Sequence, residues 1–334
     1  MGSIPAGATY FSYSRMDVSI ILVNYQTEKQ IEDCVHSILQ NTPNLSFEIL
    51  VADNSNSQNP FSEKLPIKWI HSLGNLGFSK ANNLAAKSAK GKYLLFLNPD
   101  TLLFQDSIMR GIEFLTSNLT YIACSGIQLG MDQQPLKGYN RLGQIRKDLY
   151  LFPSANFLYD RLEKWFEFKS DIPTDTDFLS GAFILLTKDD FQELGGWDSQ
   201  FFLYGEDAEL SFRMRQKGKL ALLPQLAFIH LEKENEFRKQ DQSFINRFDL
   251  QIQLSNFLWI RKSYGILSLM TLYLNYHLIF VLYWLWKLPI ALFKKGNFQE
   301  NISHQKKFSQ KLHVLNSWFF ALVFLSKTEY RIIK

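Results

Sequence analysis

Cysteine is scarce in this sequence, and the two that are present cannot form a covalent framework. Cys34 and Cys124 show no spacing that is typical of a metal site. This usage is typical of a protein from a reducing compartment. Residues 1–15 lack both the basic start and the apolar core of a secretory signal, so we interpret them as an N-terminal extension.

Two common nucleotide-binding signatures are also absent. No G-x-G-x-x-G follows the first predicted strand, and no G-x-x-x-x-G-K-[ST] occurs in the chain. The sequence therefore lacks the motifs that would indicate a dinucleotide dehydrogenase or a P-loop enzyme. Apolar residues make up 46% of the sequence, aromatic residues 15% and charged residues 20%, a balance that excludes a disordered protein.

The first hundred residues alternate between strand and helix patterns. Short runs rich in β-branched and apolar residues are separated by a segment with apolar positions at helical spacing. This alternation predicts an α/β fold with a mostly parallel, Rossmann-like sheet flanked by helices. The predicted strands cover 17–23, 47–52, 67–71 and 92–97, and the predicted helices cover 27–41 and 79–88.

Polar residues follow several of these strands at the point where each one ends. The motif N-P-D at 98–100 could be a plain turn, because Asn and Asp favour turns and Pro fixes one backbone dihedral. Asp53 and Asn24, however, follow two other strands in the same way. Since parallel sheets bind ligands at the carboxyl ends of their strands, Asp100 predicts a Mg2+ or Mn2+ site for a nucleotide diphosphate.

Glu206 and Asp207 open a predicted helix in the second half of the chain. The helix dipole alone favours acidic residues there, so a structural role stays open. A carboxylate that is half-buried beneath aromatic residues such as Trp197 should have a raised pKa. That property suits a general base that takes a proton from an alcohol.

His230 lies near the end of a strand predicted over 220–231. A histidine in an apolar strand is more often a core residue than a ligand, and that interpretation stays open. If this strand end faces Asp100, the imidazole would complete the coordination shell of the cation. Mn2+ would suit such a ligand better than Mg2+.

The C-terminal region differs from the body in charge and hydropathy. From Glu236 onward there are 14 Lys and Arg against 5 Asp and Glu, whereas the preceding residues carry 22 against 27. The 21 residues 266–286 carry no formal charge and could span a bilayer. Basic flanks with Trp and Tyr are equally typical of an in-plane helix, whereas the apolar run at 314–326 is too short to span. We predict association with an anionic membrane surface; a helical hairpin buried against the body or a second subunit is the alternative.

Seven ordered motifs between about Val18 and Glu232 resemble the family 2 glycosyltransferases of GT-A fold, close to the bacterial rhamnosyltransferase branch. The resemblance implies a catalytic domain over 16–235, followed by a helical membrane-associating or oligomerisation region over 236–334. The motifs are SIILVNYQ (19–26), ILVADNSNS (49–57), GNLGFSKANN (74–83), LLFLNPDT (94–101), SGAFILL (180–186), GGWDSQFFLYGEDAELSFRMRQKG (195–218) and FIHLE (228–232).

The resemblance assigns roles by position. Asp207 would be the catalytic base, with Glu206 beside it. Asp100 matches the second Asp of the D-x-D motif of the family and would bind the metal together with His230. The nucleotide would contact Asn24, Tyr25, Asp53, Asn75, Gly77, Phe78, Lys80, Asn82 and Asn98, with Lys80 facing the diphosphate and Asn98 standing where the family often has the first Asp. The sugar or acceptor would contact Ser180, Gly181, Trp197 and Asp198.

The implied reaction is an inverting transfer of one sugar from a nucleotide diphosphate donor to a glycan or polyprenyl diphosphate-linked acceptor, at the cytoplasmic face of a bacterial inner membrane. No Q-x-x-R-W motif of processive synthases follows Asp207, so a single addition per encounter is expected. The donor is dTDP-rhamnose or, alternatively, a UDP-sugar such as UDP-galactofuranose or UDP-N-acetylglucosamine. A non-catalytic glycan-binding protein is the alternative from another class. A nucleic-acid partner is not expected, and a homo-oligomer stays open.

Overall fold

The structure is a computed structural model. It describes residues 16–61, 64–72, 74–136, 175–231, 247–293, 298 and 302–333. The N-terminal extension predicted over 1–15 lies outside the described residues.

A single eight-stranded sheet forms the centre of the described chain, in the order β3-β2-β1-β4-β7-β6-β8-β5. All four strands predicted in the first hundred residues are present, because their apolar runs are short and bounded by turn residues. The strands are β1 (Val18–Asn24), β2 (Phe47–Asp53), β3 (Ile67–His71), β4 (Tyr93–Leu97), β5 (Thr101–Leu102), β6 (Tyr121–Leu129), β7 (Phe183–Thr187) and β8 (Lys219–His230).

Helices cover both faces of this sheet, which confirms the α/β class. Residues of β1 alternate between two apolar clusters: Ile20 and Leu22 face one, and Ile21 faces the other. The helices are α1 (Glu28–Asn41), α2 (Gly77–Ser88), α3 (Ser107–Ser117), α4 (Lys188–Glu193), α5 (Glu206–Lys217), α6 (Arg247–Phe293) and α7 (Ser303–Phe324). On α1, Ile38 is buried as its spacing predicts, but Leu39 is 38% exposed.

The sheet is mixed, which the sequence patterns do not predict. Strands β3, β2, β1 and β4 run parallel, and Asn24 pairs with Asp53 in register. Strand β7 runs antiparallel to β4, and Leu97 pairs with Phe183. The amino end of β7 therefore lies at the same sheet edge as the carboxyl ends of the four parallel strands.

The C-terminal helices α6 and α7 share an apolar core with the preceding body of the chain. Helix α6 is interrupted at Gly265, whose φ of 84° lies in the left-handed region. Residues of α6 on both sides of this break and residues of α7 bury one apolar cluster together with Phe201 and with Ala208 of α5. Lys262 forms an ion pair with Asp198 of the body. The buried face of α6 and α7 therefore matches the alternative of a helical hairpin that packs against the body.

The outer half of α6, the part of the helix that follows Gly265, differs because one of its apolar faces is exposed, whereas Leu269, Leu272 and Tyr276 on another face are buried. Leu267, Leu274, Leu278 and Leu285 are between 59% and 79% exposed and follow one another at helical spacing. Among the described residues, one helix, Arg247–Leu282, is long and apolar enough to cross a membrane, and 22% of its most apolar window is buried. The predicted segment 266–286 lies within this helix and its continuation.

Candidate active site

The predicted site residues are brought to one edge of the sheet by the strand topology. Asn24 and Asp53 end adjacent parallel strands. Asn98 follows β4, and its backbone N–H donates to the carbonyl of Ala182 at 3.1 Å, just before β7. This hydrogen bond joins the N-P-D turn to the S-G-A segment at 180–182.

Asp53 is fully buried and organises the loop that follows β2. One carboxylate oxygen accepts from Asn24 Nδ2 at 2.8 Å and from the Ser55 N–H at 2.9 Å. The other accepts from the Ser57 N–H at 2.8 Å. Because the side chain is 0% exposed, Asp53 in this conformation shapes the edge of the site from beneath rather than facing solvent.

The loop before α2 is held closely between two segments. Asn54 Nδ2 donates to the Gly77 carbonyl at 3.0 Å, and the Phe78 N–H donates to the Phe202 carbonyl at 2.8 Å. Gly77 has a φ of 76°, and a Cβ there would lie 2.3 Å from the Phe202 oxygen. Only glycine fits this position, so the loop has a fixed distance from the segment that precedes α5.

Asp207 faces the same edge from the first turn of α5. Its carboxylate accepts from the Gly181 N–H at 3.2 Å and from the Ala208 N–H at 2.9 Å. Tyr204 and Gly205, immediately before the helix, both have left-handed backbones with φ of 69° and 78°. This pair of residues turns the chain so that the helix starts at the sheet edge.

The two adjacent acids have different environments. Burial raises the pKa of Asp207, while hydrogen bonds from backbone N–H groups, Gly181 first, lower it in part. Burial and then the charge of Asp207 raise the pKa of Glu206 well above its ordinary value. Glu206 is 6% exposed, and its Oε2 has no hydrogen-bond partner among the described residues. Of the two carboxyl groups, Glu206 is therefore the harder to ionise and Asp207 the easier.

Asp100 and His230 meet across the short ladder of β5 and β8. Thr101 pairs with His230 in register, which brings Asp100 Oδ1 to 3.2 Å from His230 Nε2. The Leu231 N–H also donates to the Asp100 carbonyl at 2.9 Å. The two side chains are 26% and 13% exposed, so one side of the pair faces solvent.

This pair fits two ligands of one divalent cation. Ligands at right angles, with bonds of about 2.1 Å, stand about 3 Å apart, close to the observed separation. The described residues contain no group of three or more His, Cys, Asp or Glu that could hold a metal. A cation held by Asp100 and His230 would therefore complete its coordination shell with water and with phosphate oxygens of a bound nucleotide, as Mg2+ commonly does.

Comparison with known proteins identifies the family. The sequence profile of Glycosyl transferase family 2 matches residues 19–195. The chain belongs to glycosyltransferase family 2. This family 2 glycosyltransferase is 29% identical over 227 residues to the rhamnosyltransferase WbbL of Escherichia coli (strain K12), covering 64% of this chain and 83% of that protein. The chain covers 62% of the length of a second curated relative and 35% of the length of a third.

Solved structures show the same fold as this glycosyltransferase. The mannosyltransferase PcManGT from Pyrobaculum calidifontis, solved with GDP-Man and Mn2+, has a TM-score of 0.53 at 13% identity, covering 92% of this chain and 88% of that one. TarS 1–349 of S. aureus, solved with UDP-GlcNAc, has a TM-score of 0.52 at 15% identity, covering 94% and 90%. These likenesses confirm the GT-A fold that the sequence motifs imply.

Five of the predicted site residues are partly exposed on the loops that meet at the sheet edge: Tyr25, Asn75, Phe78, Asn98 and Ser180. Asp100, His230 and Asp207 are partly exposed as well. Gly181 is buried and donates its backbone N–H to Asp207. Aromatic, amide, hydroxyl and acidic side chains therefore share the open side of this edge.

Two of the residues predicted to contact the substrates are buried in this conformation. Trp197 is 1% exposed and packs edge-on against Phe78 and Phe96, at 5.3 and 5.2 Å between ring centroids. It belongs to the core beneath α2 and cannot stack on a sugar in this conformation. Asn82 is also 1% exposed and donates to the carbonyl of Phe78 at 3.0 Å, so it stabilises α2 from within.

Two further predicted site residues form ion pairs with the C-terminal region. Asp198, predicted to contact sugar or acceptor, pairs with Lys262. Lys80, predicted to face the diphosphate, pairs with Glu329. Both interactions join residues that are distant in sequence, so no local pattern could predict them. In this conformation both side chains connect the body to its C-terminal helices and tail.

The raised pKa of Glu206 has a consequence for thermal stability. Since burial raises its folded-state pKa, ionisation of Glu206 costs stability as pH rises above the ordinary Glu value of 4.5. Glu206→Gln removes this cost, so we expect the melting temperature at pH 7 to rise by about 2 °C or more. The gain should disappear in thermal unfolding measured below pH 4.5.

Glu209→Gln, on the same helix, is the matched control. Glu209 pairs with Arg213 at 2.6 Å, so this substitution should lower the melting temperature at pH 7. Equal destabilisation by both substitutions would mean that Glu206 is ionised and paired.

Proposed function

We propose that this glycosyltransferase moves one sugar, with inversion, from a nucleotide diphosphate donor to a hydroxyl acceptor in bacterial surface polysaccharide synthesis. One observation carries the proposal. Asp207, a partly exposed carboxylate fixed by the Gly181 N–H, lies at the same sheet edge as the Asp100–His230 pair. A base and a cation site on one edge are what an inverting, metal-dependent transfer needs.

In the proposed reaction, Asp207 takes the proton of the acceptor hydroxyl. The acceptor oxygen forms a bond to the anomeric carbon, while the bond from that carbon to the diphosphate oxygen breaks. The electron pair of the broken bond leaves with the nucleoside diphosphate. Asp100 and His230 would hold Mn2+ or Mg2+, which when bound supplies positive charge for the departing diphosphate. A single base is enough for this displacement.

The donor that we propose is dTDP-L-rhamnose. The likeness to the rhamnosyltransferase WbbL supports it. A UDP-sugar, such as UDP-galactofuranose or UDP-N-acetylglucosamine, is the alternative, which the likeness to TarS with UDP-GlcNAc supports at the level of the fold. Both donors would use the same base and the same cation pair. The difference would lie in how the loops around Tyr25 and Asn75 fit the base and the sugar.

A thermal-shift screen tests the proposed function and separates the donors. The purified full-length chain is heated with dTDP-rhamnose, UDP-galactofuranose or UDP-N-acetylglucosamine, each with and without Mn2+. A ligand present at a hundred times its Kd stabilises the folded state by about 2.7 kcal/mol. We expect the largest shift with dTDP-rhamnose and Mn2+. The absence of a shift with every nucleotide sugar, in Mn2+ or Mg2+, would contradict the proposal.

We further propose that the outer half of α6 brings the enzyme to the cytoplasmic face of the membrane, where a polyprenyl diphosphate-linked acceptor would be reached. The exposed leucine stripe of α6 and the basic balance of the C-terminal region support this. The acceptor diphosphate lipid would then be held at the surface that the enzyme occupies.

Charge placed on this stripe should release the protein from lipid. We expect the triple variant L267K/L274K/L278K to lower binding to phosphatidylglycerol vesicles at least tenfold, because three lysines cannot enter the hydrocarbon region without cost. Flotation with vesicles measures the bound fraction. Leu119→Lys is the matched control, because Leu119 is 89% exposed at the turn between α3 and β6. Equal vesicle binding by the triple variant and the control would exclude the stripe as the contact.

A further inference from the structure

The C-terminal tail, residues 325–333, is fixed against the body by a buried tyrosine. Tyr330 is 0% exposed, its N–H donates to the Gln200 carbonyl at 2.9 Å, and it forms a parallel bridge with Phe201. The side chain of Gln251, also 0% exposed, donates to the Tyr330 carbonyl at 3.1 Å and accepts from the Ile332 N–H at 2.7 Å. The residue between these two contacts is therefore held in a defined position.

That residue is Arg331, whose side chain packs against the loop before α2. Its guanidinium carbon is 3.9 Å from the centroid of the Phe202 ring, and Nη1 donates to the Asn75 carbonyl at 3.2 Å. Phe202 is itself joined to this loop, because its carbonyl accepts from the Phe78 N–H. One side chain from the end of the chain thus contacts both segments that meet at this side of the site.

We propose that Arg331 is a positioning residue of the donor site, which holds the Asn75–Phe78 loop against Phe202 in the conformation that binds the nucleotide. The inference rests on the proposed function, because that function assigns this loop to the donor. Arg331 acts through the loop: it contacts the Asn75 carbonyl and the Phe202 ring, and within the tail it contacts the Ile333 carbonyl and the Glu329 carboxylate, so none of its contacts requires a ligand. A planar guanidinium suits both, since it stacks on rings and donates from a fixed fork.

A direct role of the Arg331 charge on the donor diphosphate is the competing interpretation. Its charge is already shared, because Arg331 Nη1 lies 3.8 Å from Glu329, and Glu329 also pairs with Lys80. Two cations around one carboxylate leave a net charge of about +1 at this place, so the charge count alone does not separate the two roles. The stacking of Arg331 on Phe202 and its hydrogen bond to the Asn75 carbonyl favour a role in shape, because both contacts already occupy the guanidinium.

The test compares nucleotide binding by wild type, Arg331→Ala and Arg331→Lys in the full-length chain. The probes are dTDP and dTMP, and UDP and UMP, titrated in Mn2+ by calorimetry. We expect Arg331→Ala to raise the Kd of diphosphate and monophosphate alike by about tenfold. Arg331→Lys should be nearly as weak, because lysine keeps the charge but loses the planar stack. In transfer assays, KM for the donor should rise while kcat at saturating donor stays within twofold.

Four results would overturn the proposal. Wild-type affinity in Arg331→Ala would exclude any role, and loss of diphosphate binding alone, restored in Arg331→Lys, would assign the effect to charge on the pyrophosphate. If the wild type binds none of these nucleotides, the proposed function fails together with this inference. Lys327→Ala, on the same tail, is the control for unspecific loosening, and its Kd should equal that of the wild type. A tenfold loss of affinity in that control would show that the tail as a whole, and not Arg331, sets the loop.

Discussion

Replacing Asp207 by asparagine is expected to lower the rate of sugar transfer at least a hundredfold, while the affinity for the donor stays within about twofold. A positioned general base contributes about 10²–10⁴ in rate, and asparagine keeps the shape but cannot accept the proton. The two carboxylate oxygens accept hydrogen bonds from the Gly181 and Ala208 N–H groups. The single amide oxygen of asparagine can still accept one of them. Transfer kinetics and donor titration measure the two effects separately.

The control for this substitution is Asp189→Asn. Asp189 is also an acid in the first turn of a helix, α4, but it is exposed. It should retain wild-type transfer. Full turnover by Asp207→Asn would remove Asp207 from the role of base. The wild-type rate should also fall on the acid side, at a higher pH than an ordinary aspartate would give, because burial raises the pKa of Asp207.

Removal of the proposed cation site should have the second large effect. We expect Asp100→Ala to lower kcat/KM at least a hundredfold and to abolish the dependence of donor binding on Mn2+, because the structure offers this carboxylate and one imidazole as ligands. His230→Gln should cost less, since the carboxylate that carries the charge remains. Titration of EDTA-treated protein with Mn2+, followed by transfer rate, measures the metal dependence of each variant.

Asp33→Ala provides the matched comparison for Asp100→Ala. Asp33 is 45% exposed and pairs with Lys29 on the surface of α1, an interaction of about 0.3–0.5 kcal/mol. Its variant should bind Mn2+ and turn over as the wild type does. Undiminished activity of the EDTA-treated wild type, together with an active Asp100→Ala, would exclude a metal at this pair.

The sequence predicts the residues at the strand ends well because their signals are local. An apolar run that stops at Asn24, at Asp53 or before the N-P-D motif predicts both the strand and the polar residue at its end. The pairing of Asp100 with His230 depends on which strands are neighbours. It requires only that β8 lies beside β5, the short strand that follows Asp100. For this reason the first half of the sheet and its edge follow from periodicity and turn chemistry.

Other features depend on contacts between segments that are distant in the chain. Trp197 near Asp207 has the same sequence pattern whether it packs in the core or stacks on a sugar, and only the position of Phe78 and Phe96 decides. The reversal of β7 has no local signature, because a buried strand is apolar in either direction. Lys80 and Glu329 form an ion pair although most of the sequence separates them. A basic residue in a nucleotide-binding motif therefore does not predict this partner.

In the proposed membrane-bound state, the break at Gly265 would set how the protein is oriented above a bilayer. Helix α7 contacts α6 on both sides of the break: Arg261 donates to the Val323 carbonyl before it, and the ring centroids of Tyr273 and Phe319 lie 4.0 Å apart beyond it. These contacts would hold the break as a rigid elbow. The tilt and the height of the proposed active site over the lipid headgroups would then depend on the backbone of one glycine, and an acceptor would have to extend a fixed distance from the membrane to be glycosylated.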